Sequence, residues 1–168
     1  LQYAKERYQG KSTRPGETYD GQSLIINHPD VRRMLFLQKA ITEGSLALVL
    51  QCFYYEDMLK VCAPADRQQY SDLLELLTPV AKTYGAEMGI VSVNNGLQVL
   101  GGYGYTEDFV LEQLARDVRI MSIYEGTTGI QARTLLGRQL AANNKQSFDL
   151  WVGEVSKSIL AARQSDTL

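Results

Sequence analysis

The chain has two cysteines and one histidine in 168 residues, and this scarcity removes several chemistries at once. Cys52 and Cys62 stand in what reads as a single helix, where a rise of 1.5 Å per residue separates them by about 15 Å, too far for a disulfide. With one His and no cysteine pair at ligand spacing, neither a structural zinc site nor a Ser-His-Asp triad has its components, and no metal is expected. The longest aliphatic run, Leu46 to Leu50, stops at Gln51 and falls far short of the roughly 20 apolar residues a membrane span needs. Nothing in it reads as a secretory signal. An excess of one charge is also missing. Seventeen Lys and Arg against nineteen Asp and Glu give a net charge of -2 with both signs interspersed. That leaves no broad electropositive surface for a phosphate backbone, so nucleic acid is not an expected partner.

What is present is an ordinary globular composition, 45% hydrophobic and 21% charged, which excludes disordered, collagen-like and mucin-like classes. A chain of this length suits one domain that buries roughly 70% of its unfolded surface, with no room for two independent catalytic domains. It opens on Leu1, and Gln2-Tyr3-Ala4-Lys5-Glu6-Arg7 reads as helix interior without a cap. A piece of a longer protein is therefore expected.

Between Gly10 and Pro29 the breakers Gly10, Pro15, Gly16, Gly21 and Pro29, with Asp20 and Asn27, predict a long loop. From Val31 to Lys60, apolar residues at Met34, Leu35, Leu37, Ile41, Leu48, Val49, Cys52 and Phe53 follow helical gaps of three and four, with Asp30 as a possible cap. Ala63-Pro64-Ala65 interrupts the pattern, and Asp66 can cap the next segment through Leu73, Leu74, Leu76 and Leu77. Pro79 then allows two readings: a new helix capped by Thr78, or one continuous helix kinked at the proline. Either way the face Val80, Tyr84, Met88, Val91, Asn95 and Gln98 runs into the turn Gly101-Gly102-Tyr103-Gly104-Tyr105-Thr106. Further helices are predicted from about Asp108 to Arg119, from Thr128 to Leu140 with a Thr128/Gln131 capping box, and from Ser147 to Arg163. No stretch shows sustained alternation, and two helices of roughly 30 and 20 residues dominate. The predicted fold is all-α, an antiparallel, up-and-down four-helix bundle with an extra C-terminal helix.

Two segments could carry chemistry. Ile123-Tyr124-Glu125-Gly126-Thr127-Thr128 puts a carboxylate in a glycine-bounded turn before a helix. There it could act as a general base or only complement the helix dipole from a solvated turn; local physics alone favours the second. Gln98-Val99-Leu100-Gly101-Gly102-Tyr103-Gly104 could bring backbone amides close to a pyrophosphate, yet it follows a helix and lacks the spacing of a dinucleotide fingerprint, so a helix C-cap and turn is the simpler local reading. Arg116, Asp117 and Arg119 read as surface ion pairs or as groups that orient the Glu125 turn. His28 reads as a loop residue without catalysis.

Taken together and in this order, Tyr3-Ala4-Lys5-Glu6-Arg7, Gln98 to Tyr105, Arg116-Asp117, Ile123 to Thr127 and Ile130-Gln131 resemble the C-terminal helical domain of the acyl-CoA dehydrogenase flavoproteins. The resemblance covers most of residues 1–140. It implies residues 1–142 as the helical domain, residues 143–168 as the start of a C-terminal extension, and an N-terminal helical and a middle β-domain lying outside this piece. It implies that Glu125 is the base that removes the α-proton of an acyl-CoA thioester while the β-hydrogen passes as hydride to FAD. The backbone amide of Glu125 would polarise the thioester carbonyl. Thr127 and Thr128 fall beside the flavin, Arg7 on its pyrophosphate, and Gln98, Gly101 and Gly102 on the stretch that reaches the adenine half of a flavin held mainly by a neighbouring subunit.

The same resemblance implies an acyl-CoA substrate, an electron-transfer flavoprotein as acceptor, a homodimer or homotetramer, and an isolated piece without activity. Unpaired cysteines point to the bacterial cytoplasm or another reducing compartment. Two departures stand out. The segment between Gly10 and Val31 is longer than in the short-chain members, and Pro29 stands where many of them carry a flavin-contacting glutamine after a His. With the tail after Leu140, this is more similar to the larger members with an added C-terminal region. The rival readings are an acyl-CoA oxidase, and a non-catalytic helical oligomerisation or DNA-associated module of the same family.

Overall fold

The computed structural model describes residues 1–11, 18–141 and 145–164. Among these the all-α class holds, with six α-helices and one two-stranded sheet. The chain divides into two compact units, Leu1–Ser45 with Tyr84–Tyr124, and Leu46–Thr83 with Glu125–Leu168. Two long helices contribute to both: α2 over Pro29–Val61 and α3 over Arg67–Leu100.

The start of α2 corrects the predicted cap. Pro29 takes the first helical position, where its missing N–H costs nothing, and the His28 carbonyl accepts the Arg32 N–H at 3.1 Å. Asp30 lies inside the first turn and pairs with Arg33 at 2.8 Å. In α3 the continuous reading is the one adopted, because Pro79 lies inside the helix. The proline has no N–H for the Glu75 carbonyl, and Thr78 Oγ1 donates back to the Leu74 carbonyl at 2.7 Å. The two predicted pieces are therefore one helix of 34 residues.

In the first unit the predicted loop is only partly a loop. A five-residue α1, Gln2–Glu6, leads toward a hairpin of β1 (Thr18–Tyr19) and β2 (Gln22–Ser23). The hairpin turn is Asp20-Gly21, both with positive φ (50° and 71°), the pairing that a two-residue hairpin turn favours. The chain after β2 also ties back to residues 7–10: Gln9 N–H donates to the Ser23 carbonyl and Ile25 N–H to the Arg7 carbonyl, each at 2.9 Å. Strands so short show no alternation that a sequence window could register. Pro15 and Gly16 lie outside the described residues. The core of this unit is Ala4, Ile25, Met34 and Val99. Helix α4, Leu111–Ile120, starts three residues later than predicted and approaches α3 at Gly96, where a Cβ would stand 2.9 Å from Leu111 Cδ1.

The second unit has a more aromatic core. Tyr55, Leu73 and Leu77 are buried, and Leu48, Cys52, Tyr70, Leu150 and Trp151 pack against them. Leu73, only 1% exposed, contributes about 1.5–3 kcal/mol by burial. Leu150 and Trp151 come from α6, Gln146–Gln164, close to the predicted last helix. The helix predicted to run from Thr128 to Leu140 is shorter: α5 spans Thr128–Thr134, and a π-helical turn covers Leu135–Gln139.

Candidate functional site

The glycines and the carboxylate singled out in the sequence fall on two turns, one in each unit, with Gln98 on the last turn of α3, Thr128 at the start of α5 and Arg7 apart at the end of α1. In the first unit, α3 ends at Leu100 and the chain enters a 3-10 turn, Gly101–Tyr105. Gly101 has φ +62°, and a Cβ there or at Gly102 would meet nothing within 4 Å, so the backbone of both residues is open to approach. Three rings support the turn: Tyr103 lies edge-on to Tyr3 at 6.3 Å and to Phe109 at 6.3 Å, and Tyr3 to Phe109 at 6.0 Å.

Beside this turn is a cleft of about 420 Å³, lined by Gln98 and Gly101 together with Tyr3, Gly10, His28 and Val31. The structure thus brings two of the predicted cofactor residues to one concavity. Gly102 is not among its lining residues, and neither is Arg7, which is exposed at the C-terminal end of α1. His28 is held by its Nε2–H, which donates to the Gln9 carbonyl at 2.7 Å. Its place on the cleft was not legible in the sequence, because it depends on residues 7–10 folding back beside residues 23–25.

In the second unit the candidate base sits in a tightly held turn. Glu125 has φ +52° and Gly126 φ +93°. A left-handed conformation costs a non-glycine residue roughly 1–2 kcal/mol, and glycine or asparagine would adopt it more readily. The conformation is fixed from two directions. Gln131 Nε2–H on α5 donates to the Glu125 carbonyl at 3.3 Å, and Lys82 Nζ on α3 donates to the Gly126 carbonyl at 2.6 Å. A charge-assisted hydrogen bond contributes about 1.5–3 kcal/mol, enough to offset the strain. Gly126 cannot be replaced without loss, since a Cβ would stand 2.9 Å from Gln131 Nε2 in addition to the positive φ.

The cap that follows also differs from the prediction. Thr127, not Thr128, is the N-cap of α5: it has extended backbone (φ -61°, ψ 163°), and its hydroxyl accepts the Ile130 N–H at 3.4 Å. The turn at Gly126 sets Thr127 in that geometry, and Gln131 is drawn back to Glu125 instead of closing a capping box. Thr128 is the first helical residue. Glu125, Thr127 and Thr128 thereby lie within four residues on one turn and helix start.

Glu125 is exposed. The desolvation that carbon-acid chemistry asks of a base is not supplied by the described residues. The polar residues ahead of the turn are engaged locally: Arg116 pairs with Glu112 at 3.2 Å, Gln113 donates to Asp117 at 3.3 Å, and Arg119 bonds the Ser122 hydroxyl. Ser122 is buried and also donates to the Arg119 carbonyl at 3.3 Å. Burial pushes the Cys52 thiol above its usual range, which makes it a poor nucleophile. Among the described residues there is no His, Cys, Asp and Glu cluster suited to a metal, and no helix is long and apolar enough to cross a membrane.

Residues 16–140 match the family described as acyl-CoA dehydrogenase, C-terminal domain. A butyryl-CoA dehydrogenase of Syntrophomonas wolfei is 38% identical over 162 residues, which is 95% of this chain and 26% of that protein. A broad-specificity linear acyl-CoA dehydrogenase of Mycobacterium tuberculosis is 39% identical over 162 residues, again 95% of this chain and 26% of the relative. A 3-methylmercaptopropionyl-CoA dehydrogenase of Ruegeria pomeroyi is 35% identical over 98% of the chain and 29% of its own length. The solved structure of Bd2924 in its apo form matches 80% of the chain and 25% of that protein, with a TM-score of 0.67 at 27% identity. The chain spans between 26% and 29% of the length of these three curated relatives. On the family match, the chain belongs to the acyl-CoA dehydrogenase family, as its C-terminal domain.

Proposed function

We propose that this chain is the C-terminal helical part of a flavin-dependent acyl-CoA dehydrogenase and that Glu125 is its catalytic base. The observation that carries the reading is the Glu125 backbone itself. A carboxylate is kept at φ +52°, close to the 50° of Asp20 in the hairpin turn, and what sets it apart is that two side chains from different helices hold its turn in place. Strain over-determined by its surroundings is characteristic of functional positions.

The chemistry follows from the carboxylate. An α-proton next to a thioester is weakly acidic, so it is transferred only to a base already in place when the carbonyl is polarised. In this reading the Glu125 carboxylate takes the α-proton and holds it, and its backbone N–H is aimed at the thioester carbonyl. Burial of Glu125 comes from the further length that the relatives possess.

The residues present fit FAD. The exposed Arg7 guanidinium suits a pyrophosphate, the exposed Gln98 amide suits an adenine edge, and the open backbone at Gly101 and Gly102 admits close approach. Thr127 and Thr128 adjoin the base. When bound, FAD supplies the acceptor for the hydride leaving the β-carbon, and loss of that hydride with the α-proton leaves the α,β double bond.

Several finer readings rest on this assignment. The bundle arrangement of helices, assembly into a homodimer or homotetramer, and electron transfer to an electron-transfer flavoprotein are proposed with it, as is inactivity of residues 1–168 alone. Residues 143–168 are proposed as the start of a C-terminal extension, a boundary that the family match ending at residue 140 supports. A reducing compartment is proposed from the two free thiols. The dehydrogenases among the relatives favour this activity over an oxidase.

The test is Glu125→Gln in the whole flavoprotein. The variant should fold, bind FAD and stay yellow, while anaerobic bleaching by a saturated acyl-CoA slows by about 10²–10⁴-fold. Bleaching at the normal rate would remove Glu125 from this role.

A further inference from the structure

We infer that Lys82 is a positioning residue for the Glu125 turn, an inference that rests on the reading of Glu125 as the base. Among the described residues three other lysines pair within their own helix: Lys39 with Glu43, Lys60 with Glu56 and Asp57, and Lys157 with Glu154. Lys82 has no such option. Its neighbours three and four positions away are Pro79, Thr78, Gly85 and Ala86, none of them acidic, so no local ion pair can form along the helix. Its ammonium instead spans 44 positions of sequence to the Gly126 carbonyl, at 2.6 Å, in a partly buried setting.

The position of that bond gives it consequence. Peptide planes are rigid, so a side chain that holds a carbonyl holds the whole plane. Gln131 fixes the plane between Glu125 and Gly126, and Lys82 fixes the plane between Gly126 and Thr127. Both soft torsions of Gly126 are then set from outside. Glycine at that position has the widest torsional freedom of any residue, and without Lys82 only one of the two flanking planes is anchored. The Glu125 Cα, and the carboxylate it carries, would then lose its registration to α3. Lys82 touches no reacting atom in this account. It acts through the turn.

The experiment compares Lys82→Met, Lys82→Arg and the natural protein in the whole flavoprotein, with FAD content and melting temperature as checks of folding. Hydrogen exchange of the peptide covering residues 123–131 is the readout independent of turnover, and it is measured with and without flavin. Lys82→Met should exchange faster there by at least about fivefold, since a turn released from its anchor opens more often. Its kcat should fall about tenfold or more through misplacement of the base, with KM within about twofold because ground-state binding is untouched. Lys82→Arg, which keeps a charged donor, should restore both toward the natural values.

Unchanged exchange in Lys82→Met would overturn the inference whatever happens to turnover. Faster exchange with unchanged kcat would also overturn it, and Glu125→Gln would then say separately whether the base assignment stands. A rise in KM with kcat preserved would assign Lys82 to substrate binding and contradict the positioning role. Should Lys82→Met fail to retain flavin, Lys82→Gln, with a shorter neutral donor, replaces it under the same readouts and the same criteria.

Discussion

The two turns solve the same backbone problem in opposite ways. At the end of α3 the left-handed residue is Gly101, φ +62°, with nothing within 4 Å of where its Cβ would be. At the approach to α5 it is Glu125, φ +52°, with both following carbonyls bound by Gln131 and Lys82. The first turn takes the residue that costs least and leaves the space beside it open. The second keeps a carboxylate at a conformational cost and surrounds it with anchors. The difference teaches that a left-handed residue can be left open, as Gly101 is, or locked by side chains of two helices, as the Glu125 turn is.

This contrast can be broken by substitution. Of the two left-handed glycines Gly101 and Gly126, Gly126→Ala should be the more damaging, costing about 2–3 kcal/mol, because it meets both a forbidden φ and the Gln131 amide. Denaturant unfolding of the protein would measure it. Gly101→Ala should cost about 1 kcal/mol, the backbone penalty alone, since no neighbour opposes the methyl group. If the two substitutions cost the same, the distinction between an open and an anchored turn is wrong. Thr127→Ala should cost about 0.5–1 kcal/mol, the low part of the N-cap range, because the hydroxyl accepts the Ile130 N–H at a long 3.4 Å; the same unfolding measurement reads it.

How much of this was legible beforehand follows a physical divide. Long periodic stretches announced α2, α3 and α6 to within a few residues, because helical burial repeats over many turns and survives in the pattern. Pro79 remained undecided, since proline is compatible with a helix start and with a tolerated interior position, and only the packing of α3 chooses. The hairpin at Thr18–Tyr19 and Gln22–Ser23 was hidden by strands of two residues. At the candidate site, the motif order named Glu125 and the Gly101-Gly102 turn, but the cap moved by one residue to Thr127, His28 was read only as a loop residue without its place on the cleft, and Lys82 on the turn was not named. Both depend on partners 19 and 44 positions away, a distance over which local propensity carries no signal. The one available hint was negative: Lys82 is a helical lysine with no acid at helical spacing.

The central claim is that Glu125 is retained for its carboxylate at some expense to the backbone, and Glu125→Asn tests it most directly. Asparagine tolerates the left-handed region better. The account predicts a protein at least as stable as the natural one, by up to about 1 kcal/mol, that no longer accepts electrons from acyl-CoA. A variant that melts several degrees lower, or one that still turns over at the natural rate, would contradict it.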